Sequence, residues 1–243
     1  SPGTLYWTNP KTMEAASDAN TLSVTEGDSS EVLQNGYVWD GVSYVASSED
    51  HYEVVRDPLG VSGYRSRITP CGRGFWTPWA WCLSPTGVYF LTKDGIALTA
   101  GGTVAKFITT PDLRPIFPHD GGPGVSVYGI DPPDMAATNA LRLSYVATFV
   151  YFDYVSTKGD FCTLAFDTVM GRWYFDRYAS GVHTRLWEPG VGIDTQIVGL
   201  ENGTIGTTGG PSDAGAAIAG SFHVPAMDGG TARAVALVSN LVR

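Results

Sequence analysis

The chain has 243 residues, 43% of them hydrophobic and only 16% charged, so it is long enough to bury a substantial core. Its 30 glycines and 15 prolines make turns frequent, and 12% aromatic content excludes collagen-like, coiled-coil and disordered chains. With 24 acidic and 15 basic residues the net charge is −9, which disfavours nucleic acid or anionic lipid as the main binding surface.

Short apolar alternations separated by turn residues predict antiparallel strands along most of the chain. Asp-Gly between two such runs is a strong hairpin signal, because glycine tolerates the positive φ that primed turns need. The predicted strand–turn–strand units are 37–46 around Asp40-Gly41, 88–99 around Asp94-Gly95, 149–166 around Lys158-Gly159, 161–175 around Met170-Gly171, and 196–206 around Asn202-Gly203.

The turn glycines Gly41, Gly95, Gly159 and Gly203 are separated by 54, 64 and 44 residues. Four short antiparallel strands occupy about 40–50 residues, which is the size of one propeller blade. We therefore predict an all-β chain that forms one β-propeller-like domain over residues 1–243, with four or five blades, as a complete or partial ring. The alternative is a β-sandwich, but strands joined in sequence by tight turns favour a meander.

Some segments interrupt the strand pattern. Residues 109–138, rich in Pro, Gly and Asp, are predicted to be an inserted loop, and residues 133–140 and 213–219 to contain short helical turns. Helices of that length are not stable alone.

The most hydrophobic stretch, residues 141–155, contains Arg142 and Asp153 and is predicted to be strand rather than a membrane span. The chain begins with Ser1, and residues 236–243 resemble a strand cut short. We therefore expect this chain to be a fragment of a longer polypeptide.

The residue types that catalysis needs do not form a recognisable motif. The sequence contains no Gly-x-Ser-x-Gly elbow, phosphate-binding loop or dinucleotide fingerprint. The acidic pairs Glu49 with Asp50 and Asp131 with Asp134 are more typical of solvated turns than of glycosidase chemistry. The Asp-Gly-Gly segments 120–122 and 228–230 indicate turns rather than calcium sites. We therefore predict no catalytic, cofactor or metal site.

Three cysteines cannot all pair. Cys71 and Cys82 flank a ten-residue loop and are spaced to allow a disulfide, but nothing in the sequence indicates an oxidising compartment. Cys162 lies in an alternating segment and is predicted to be a small buried apolar residue.

Three of the seven tryptophans lie close together, at Trp76, Trp79 and Trp81. Strand alternation would place Trp79 and Trp81 on one face. Such a face suits packing between blades, a protein interface or a carbohydrate platform. These three residues are the candidate interface residues.

A series of short motifs extends along nearly the whole chain. They are LYWTN at 5–9, LQNG at 33–36, VWDG at 38–41, GVYFLTKDGI at 87–96, LSY at 143–145, YFDY at 151–154, LAFD at 164–167, GRWY at 171–174, VGLENG at 198–203, DAG at 213–215 and PAMDGGTAR at 225–233. Their order resembles that of propeller-containing virion proteins of tailed phages and prophages, such as tail-hub or nozzle proteins of short-tailed phages. Such proteins are usually longer than this chain.

The resemblance implies a non-enzymatic structural component of the phage tail or neck, located in the virion. It implies contacts with other virion proteins and a homo-oligomer repeated as a symmetric ring, with no cofactor and no membrane anchor. An acidic surface would also let DNA pass through such a ring without binding, because like charges repel. The alternative function is a receptor- or glycan-binding propeller module.

Overall fold

The computed structural model shows a chain built from antiparallel strands. It describes residues 3–6, 21–25, 31–60, 62–118, 122–188, 195–208, 212–213 and 216–217. Within these residues the only helical elements are single turns of 3-10 helix at Arg114–Ile116 and Thr138–Ala140. The second lies in the segment 133–140, where the sequence predicts a helical turn. The prediction of an all-β chain is confirmed.

Three sheets within the described residues are four-stranded meanders, in which each strand pairs with the next one in the chain. They follow a two-stranded pair made of β1 (Thr4–Tyr6) and β2 (Thr21–Ser23). Sheet I consists of β3 (Leu33–Trp39), β4 (Val42–Ser47), β5 (His51–Arg56) and β6 (Tyr64–Ile68). Sheet II consists of β7 (Trp81–Ser84), β8 (Gly87–Thr92), β9 (Gly95–Thr99) and β10 (Lys106–Phe107). Sheet III consists of β11 (Arg142–Val146), β12 (Phe149–Val155), β13 (Phe161–Asp167) and β14 (Arg172–Tyr178).

A fourth sheet and a short strand pair follow in the described part of the chain. Sheet IV consists of β15 (Val182–Glu188), β16 (Thr195–Leu200) and β17 (Ile205–Thr208). The last pair is β18 (Ser212–Asp213) with β19 (Ala216–Ala217). The helical turn predicted at 213–219 is therefore wrong for the residues described there, because they pair as antiparallel strands. The predicted strand at 236–243 lies outside the described residues.

Tight turns join the strands of each meander. Asp40 and Gly41 both have positive φ, 49° and 75°, which is the geometry of the primed hairpin turn that the sequence predicts. In sheet II the predicted Asp94-Gly95 turn is displaced by one residue. Thr92 pairs with Gly95, so Gly95 begins β9 and the turn itself is formed by residues 93–94.

The apolar stretch 141–155 forms strands, as the sequence predicts, and it is divided into a hairpin of β11 and β12. The turn between them places Ala147 at a φ of 56°, a conformation that non-glycine residues seldom adopt. No glycine or asparagine marks this turn, which is why the sequence does not reveal it.

The four sheets pack face to face in chain order. Alternate residues of β8 point to opposite neighbours, as the two-residue period of a strand requires. Val88 and Phe90 join the hydrophobic cluster shared with sheet I, whereas Tyr89 and Leu91 join the cluster shared with sheet III. Sheet II is therefore buried on both faces, and sheet III lies between sheets II and IV.

The predicted inserted loop at 109–138 is part of the core. Ile116 and Phe117 are fully buried, and both belong to the cluster between sheets II and III. Gly124 lies so close to this turn that an added Cβ would come 2.0 Å from the carbonyl oxygen of Ile116. The segment thus fills the space between two sheets rather than extending from them.

The first strands of sheets II, III and IV lie side by side. β11 of sheet III contacts β7 of sheet II and β15 of sheet IV. The backbone N–H of Leu143 in β11 also donates to the carbonyl of Trp79, just before β7, over 3.3 Å. This places the first strand of sheet III close to the first strands of both its neighbours.

Candidate interfaces and the buried ionic site

A buried ion pair joins sheet IV to sheet III. Arg185 of β15 donates to both carboxylate oxygens of Asp153 in β12, over 2.9 Å from Nε and 2.5 Å from Nη2. The side chains are 0% and 4% exposed, so the pair is shielded from solvent. Arg185 also donates to the side chains of Gln196 and Thr163, each over 3.0 Å.

Aromatic rings complete the surroundings of Arg185. Its guanidinium carbon lies 4.3 Å from the ring centre of Tyr151 and 5.5 Å from that of Tyr178. Burial lowers the pKa of an arginine, but the hydrogen bonds and attraction of Asp153 outweigh that effect and raise the pKa of Arg185. Arg185 therefore stays charged, and the geometry of the pair suits a structural bond between sheets.

A second ionic cluster surrounds Asp131, in the segment that fills the space between sheets. Its carboxylate accepts from Ser126 Oγ over 2.6 Å, Lys158 Nζ over 2.7 Å and Arg177 Nη2 over 3.3 Å. The hydrogen bonds from Lys158 and Ser126 lower the pKa of Asp131. Asp131 thus ties the segment 122–140 to sheet III.

The other carboxylates that the sequence offers as candidate catalytic acids lie in turns. Asp134 accepts the backbone N–H of Ala136 over 3.0 Å, away from the Asp131 cluster. Glu49 and Asp50 lie in the turn between β4 and β5, where Ser47 Oγ accepts both of their backbone N–H groups.

The three candidate tryptophans lie in three different environments. Trp76 donates from Nε1 to the carbonyl of Met135 over 3.0 Å and packs against the cluster between sheets II and III. Trp81 stacks on Phe75 in the cluster between sheets I and II, with ring centres 5.6 Å apart. Trp79 is 52% exposed. The expected shared face of Trp79 and Trp81 does not form, because residues 76–80 are turns rather than strand.

Trp76→Phe is expected to lower the free energy of unfolding by about 1 kcal/mol, because the buried carbonyl of Met135 loses its donor. Trp79→Phe is the matched control, since the Trp79 ring is half exposed, and it should change stability by less than about 0.5 kcal/mol. Urea denaturation followed by circular dichroism measures both. Equal effects of the two substitutions would contradict the assignment of Trp76 to the core.

The cysteines are reduced in the structure. Cys71 belongs to the cluster between sheets I and II, whereas Cys82 packs against the cluster on the opposite side of sheet II. A disulfide between them is therefore not formed. Cys162 is 2% exposed in β13, as predicted. Burial raises the pKa of Cys71 to about 11, so its thiol is unreactive at neutral pH.

His51 is a buried residue that sequence reasoning did not single out. It is fully buried at the start of β5, and its ring centre lies 4.9 Å from those of both Phe75 and Phe90. Nδ1 donates to the carbonyl of Arg73 over 2.5 Å, and Nε2 has no hydrogen-bond partner. Burial lowers the pKa of His51 to about 4.

The remaining concave and metal-binding features are limited within the described part of the chain. An open groove of about 200 Å³ lies beside the β4–β5 turn and is lined by charged residues of both signs, including Glu49, Arg73 and Lys93.

No group of three metal-ligating side chains occurs among the described residues. Asp120, Gly121 and residues 228–230 lie outside them. No helix in the described ranges is long and apolar enough to cross a membrane.

Comparison with models of protein families and with curated proteins yields no match. We therefore base the functional proposal on the packing of the sheets and on the motifs of the sequence.

Proposed function

We propose that the chain is a structural component of a phage virion, built as a β-propeller or part of one and located in the tail or neck. The observation that carries this proposal is the succession of meander sheets, packed face to face in chain order, with the first strands of sheets II, III and IV adjacent. A propeller is assembled in this way around its axis. A β-sandwich has two layers, each with one buried face, whereas sheet II is buried on both faces.

The chemistry of the described interior supports an assembly role rather than turnover. The buried charged residues Arg185 and Asp153 are paired with each other and join two sheets. Asp131 is likewise saturated by hydrogen bonds to its own chain. These groups stabilise the stack of sheets, and a rigid body of this kind suits a part that works through protein–protein contacts.

The test is to locate the chain in particles. Phage or induced prophage particles from the source organism are purified on a density gradient, and their proteins are identified by mass spectrometry and electron microscopy. We expect the chain in several copies per particle, arranged around the tail axis beside other virion proteins. Particles that lack the chain, while it accumulates free in the lysate, would contradict the proposal.

A receptor- or glycan-binding module is the second candidate, and the exposed ring of Trp79 is the observation that favours it. The Arg142 guanidinium carbon lies over one face of this ring, 5.0 Å from its centre, so a ligand would stack on the other face or displace Arg142. If this function holds, Trp79→Ala will reduce binding on a glycan array at least about ten-fold, because base or sugar stacking on one ring contributes roughly 1–3 kcal/mol. Tyr128→Ala, which removes a ring of similar exposure (59%), is the control.

A further inference from the structure

Arg142, at the start of β11, is a half-buried arginine without a counter-ion among the described residues. Its Nε is buried and has no hydrogen-bond partner there. Asp153 lies directly opposite in the β11–β12 register, but both oxygens of that carboxylate accept from Arg185. The register thus supplies one aspartate for two arginines, and Arg142 remains unpaired.

The surroundings of Arg142 lack the negative charge that Arg185 has. Burial lowers the pKa of Arg142 and no carboxylate offsets this effect, whereas the bonds to Asp153 raise the pKa of Arg185. Ser144, two residues further along β11 and therefore on the same side of the strand, also has a buried Oγ without a partner in the described part of the chain. A half-buried cation without a counter-charge destabilises the folded chain, and a bound anion would compensate it.

The ring of Trp79 lies against this guanidinium. The Arg142 guanidinium carbon is 5.0 Å from the ring centre, and the Trp79 side chain is 52% exposed, so the other face of the ring is open to a ligand. The backbone around the ring is fixed, because the Trp79 N–H donates to Thr77 Oγ1 over 3.3 Å and the Trp79 carbonyl accepts from Leu143. An arginine that stacks on a ring keeps the N–H groups at its edge available to a carboxylate. The two side chains are therefore preorganised for binding.

We propose that Arg142 and Trp79 bind a carboxylate side chain of a partner protein, and that an apolar residue next to this carboxylate packs on the open face of the Trp79 ring. A guanidinium matches the planar geometry of a carboxylate, and Trp and Arg are enriched among the residues that dominate protein interfaces. One arginine neutralises one carboxylate, whereas the net charge of −9 on the chain repels polyanions such as nucleic acid. The inference deepens the proposed assembly function, on which it rests for the choice of a protein as partner.

Nuclear magnetic resonance of the isotope-labelled protein tests the site with two peptides that differ by one charge, acetyl-Pro-Glu-Phe-amide and acetyl-Pro-Gln-Phe-amide. The glutamate peptide should shift the indole N–H signal of Trp79 and the Nε–H signal of Arg142 at millimolar concentrations. The glutamine peptide should bind at least about ten-fold more weakly, because hydrogen bonds between charged groups are stronger than those to a neutral amide. Equal affinities of the two peptides, or no shift with either, would overturn the proposal.

Substitutions separate the charge from the ring. Arg142→Gln should abolish the preference for the glutamate peptide, whereas Arg65→Gln, at an exposed arginine of β6, should retain it. Trp79→Ala should weaken the binding of both peptides.

Circular dichroism verifies that these variants are folded, and the comparison of the two peptides on the wild-type protein stands even if Arg142→Gln is not. A preference that survives Arg142→Gln would overturn the proposal. Tighter binding of methyl glucuronide than of the glutamate peptide would also overturn it, because the site would then belong to an acidic sugar. The presence of the chain in particles is measured separately, so the proposed function does not fail with this site.

Discussion

Asp153→Asn is expected to lower the free energy of unfolding by about 3–5 kcal/mol, because it leaves Arg185 charged and buried without its counter-ion. For a chain of this length such a loss corresponds to a fall of about 10 °C in the midpoint of thermal unfolding. The effect should be largest in sheet IV, which Arg185 joins to sheet III. Hydrogen exchange is therefore expected to accelerate first in β15 and β16.

Two further variants separate the ionic contact from general damage. Asp153→Leu combined with Arg185→Met removes both charges and should recover most of the lost stability, because no unpaired charge remains buried. Arg67→Met breaks the ion pair with Glu53, in which the Arg67 side chain is 63% exposed, and should cost less than about 1 kcal/mol. A change below about 1 kcal/mol for Asp153→Asn would show that the Asp153–Arg185 pair does not hold the sheets together.

The strands that the sequence predicts well are those whose signals are local. Asp40-Gly41 and Asn202-Gly203 predict hairpins, because their turns need backbone conformations that glycine adopts easily. The Asn202 carboxamide oxygen also accepts the N–H of Thr204 over 3.0 Å, so the turn is stabilised by adjacent residues alone. The meander order follows in part from such turns, because strands joined by two residues, such as β3 and β4, must pair with each other.

The contacts between sheets could not be predicted in this way. Asp153 and Arg185 are separated by 32 residues and meet only because two sheets pack. A signal was present nonetheless, since Asp153 interrupts an apolar strand that the core buries, and a buried carboxylate needs a partner. The prediction that Trp79 and Trp81 share one face of a strand was wrong for a different reason. Thr77 Oγ1 accepts the N–H groups of Trp79 and Ala80, and the resulting turn replaces the strand alternation.

Stability is also expected to fall as the pH drops from 6.5 to 4, because His51 is buried in its neutral form. Folding lowers the pKa of His51 from 6.5 to about 4, so below pH 6.5 the unfolded chain binds a proton that the folded chain excludes. The stabilisation by neutral His51 is complete above pH 6.5 and is lost as the pH falls to 4. Its size is roughly 3 kcal/mol, from about 1.4 kcal/mol per unit of pKa difference.

Carboxylates titrate in part of the same range, so the contribution of His51 is obtained by difference. Asp50, which precedes His51 in the chain, is one such carboxylate, and burial raises its pKa. Urea denaturation of wild type and His51→Gln between pH 4 and 7.5 gives two stability profiles, and their separation should shrink by roughly 3 kcal/mol towards pH 4. His183→Gln, at an exposed histidine, controls for the replacement of histidine by glutamine itself. A His51→Gln profile that stays parallel to the wild-type profile would mean that His51 takes up its proton equally in the folded and unfolded chains. The aromatic cluster between sheets I and II would then not exclude the charged form of His51.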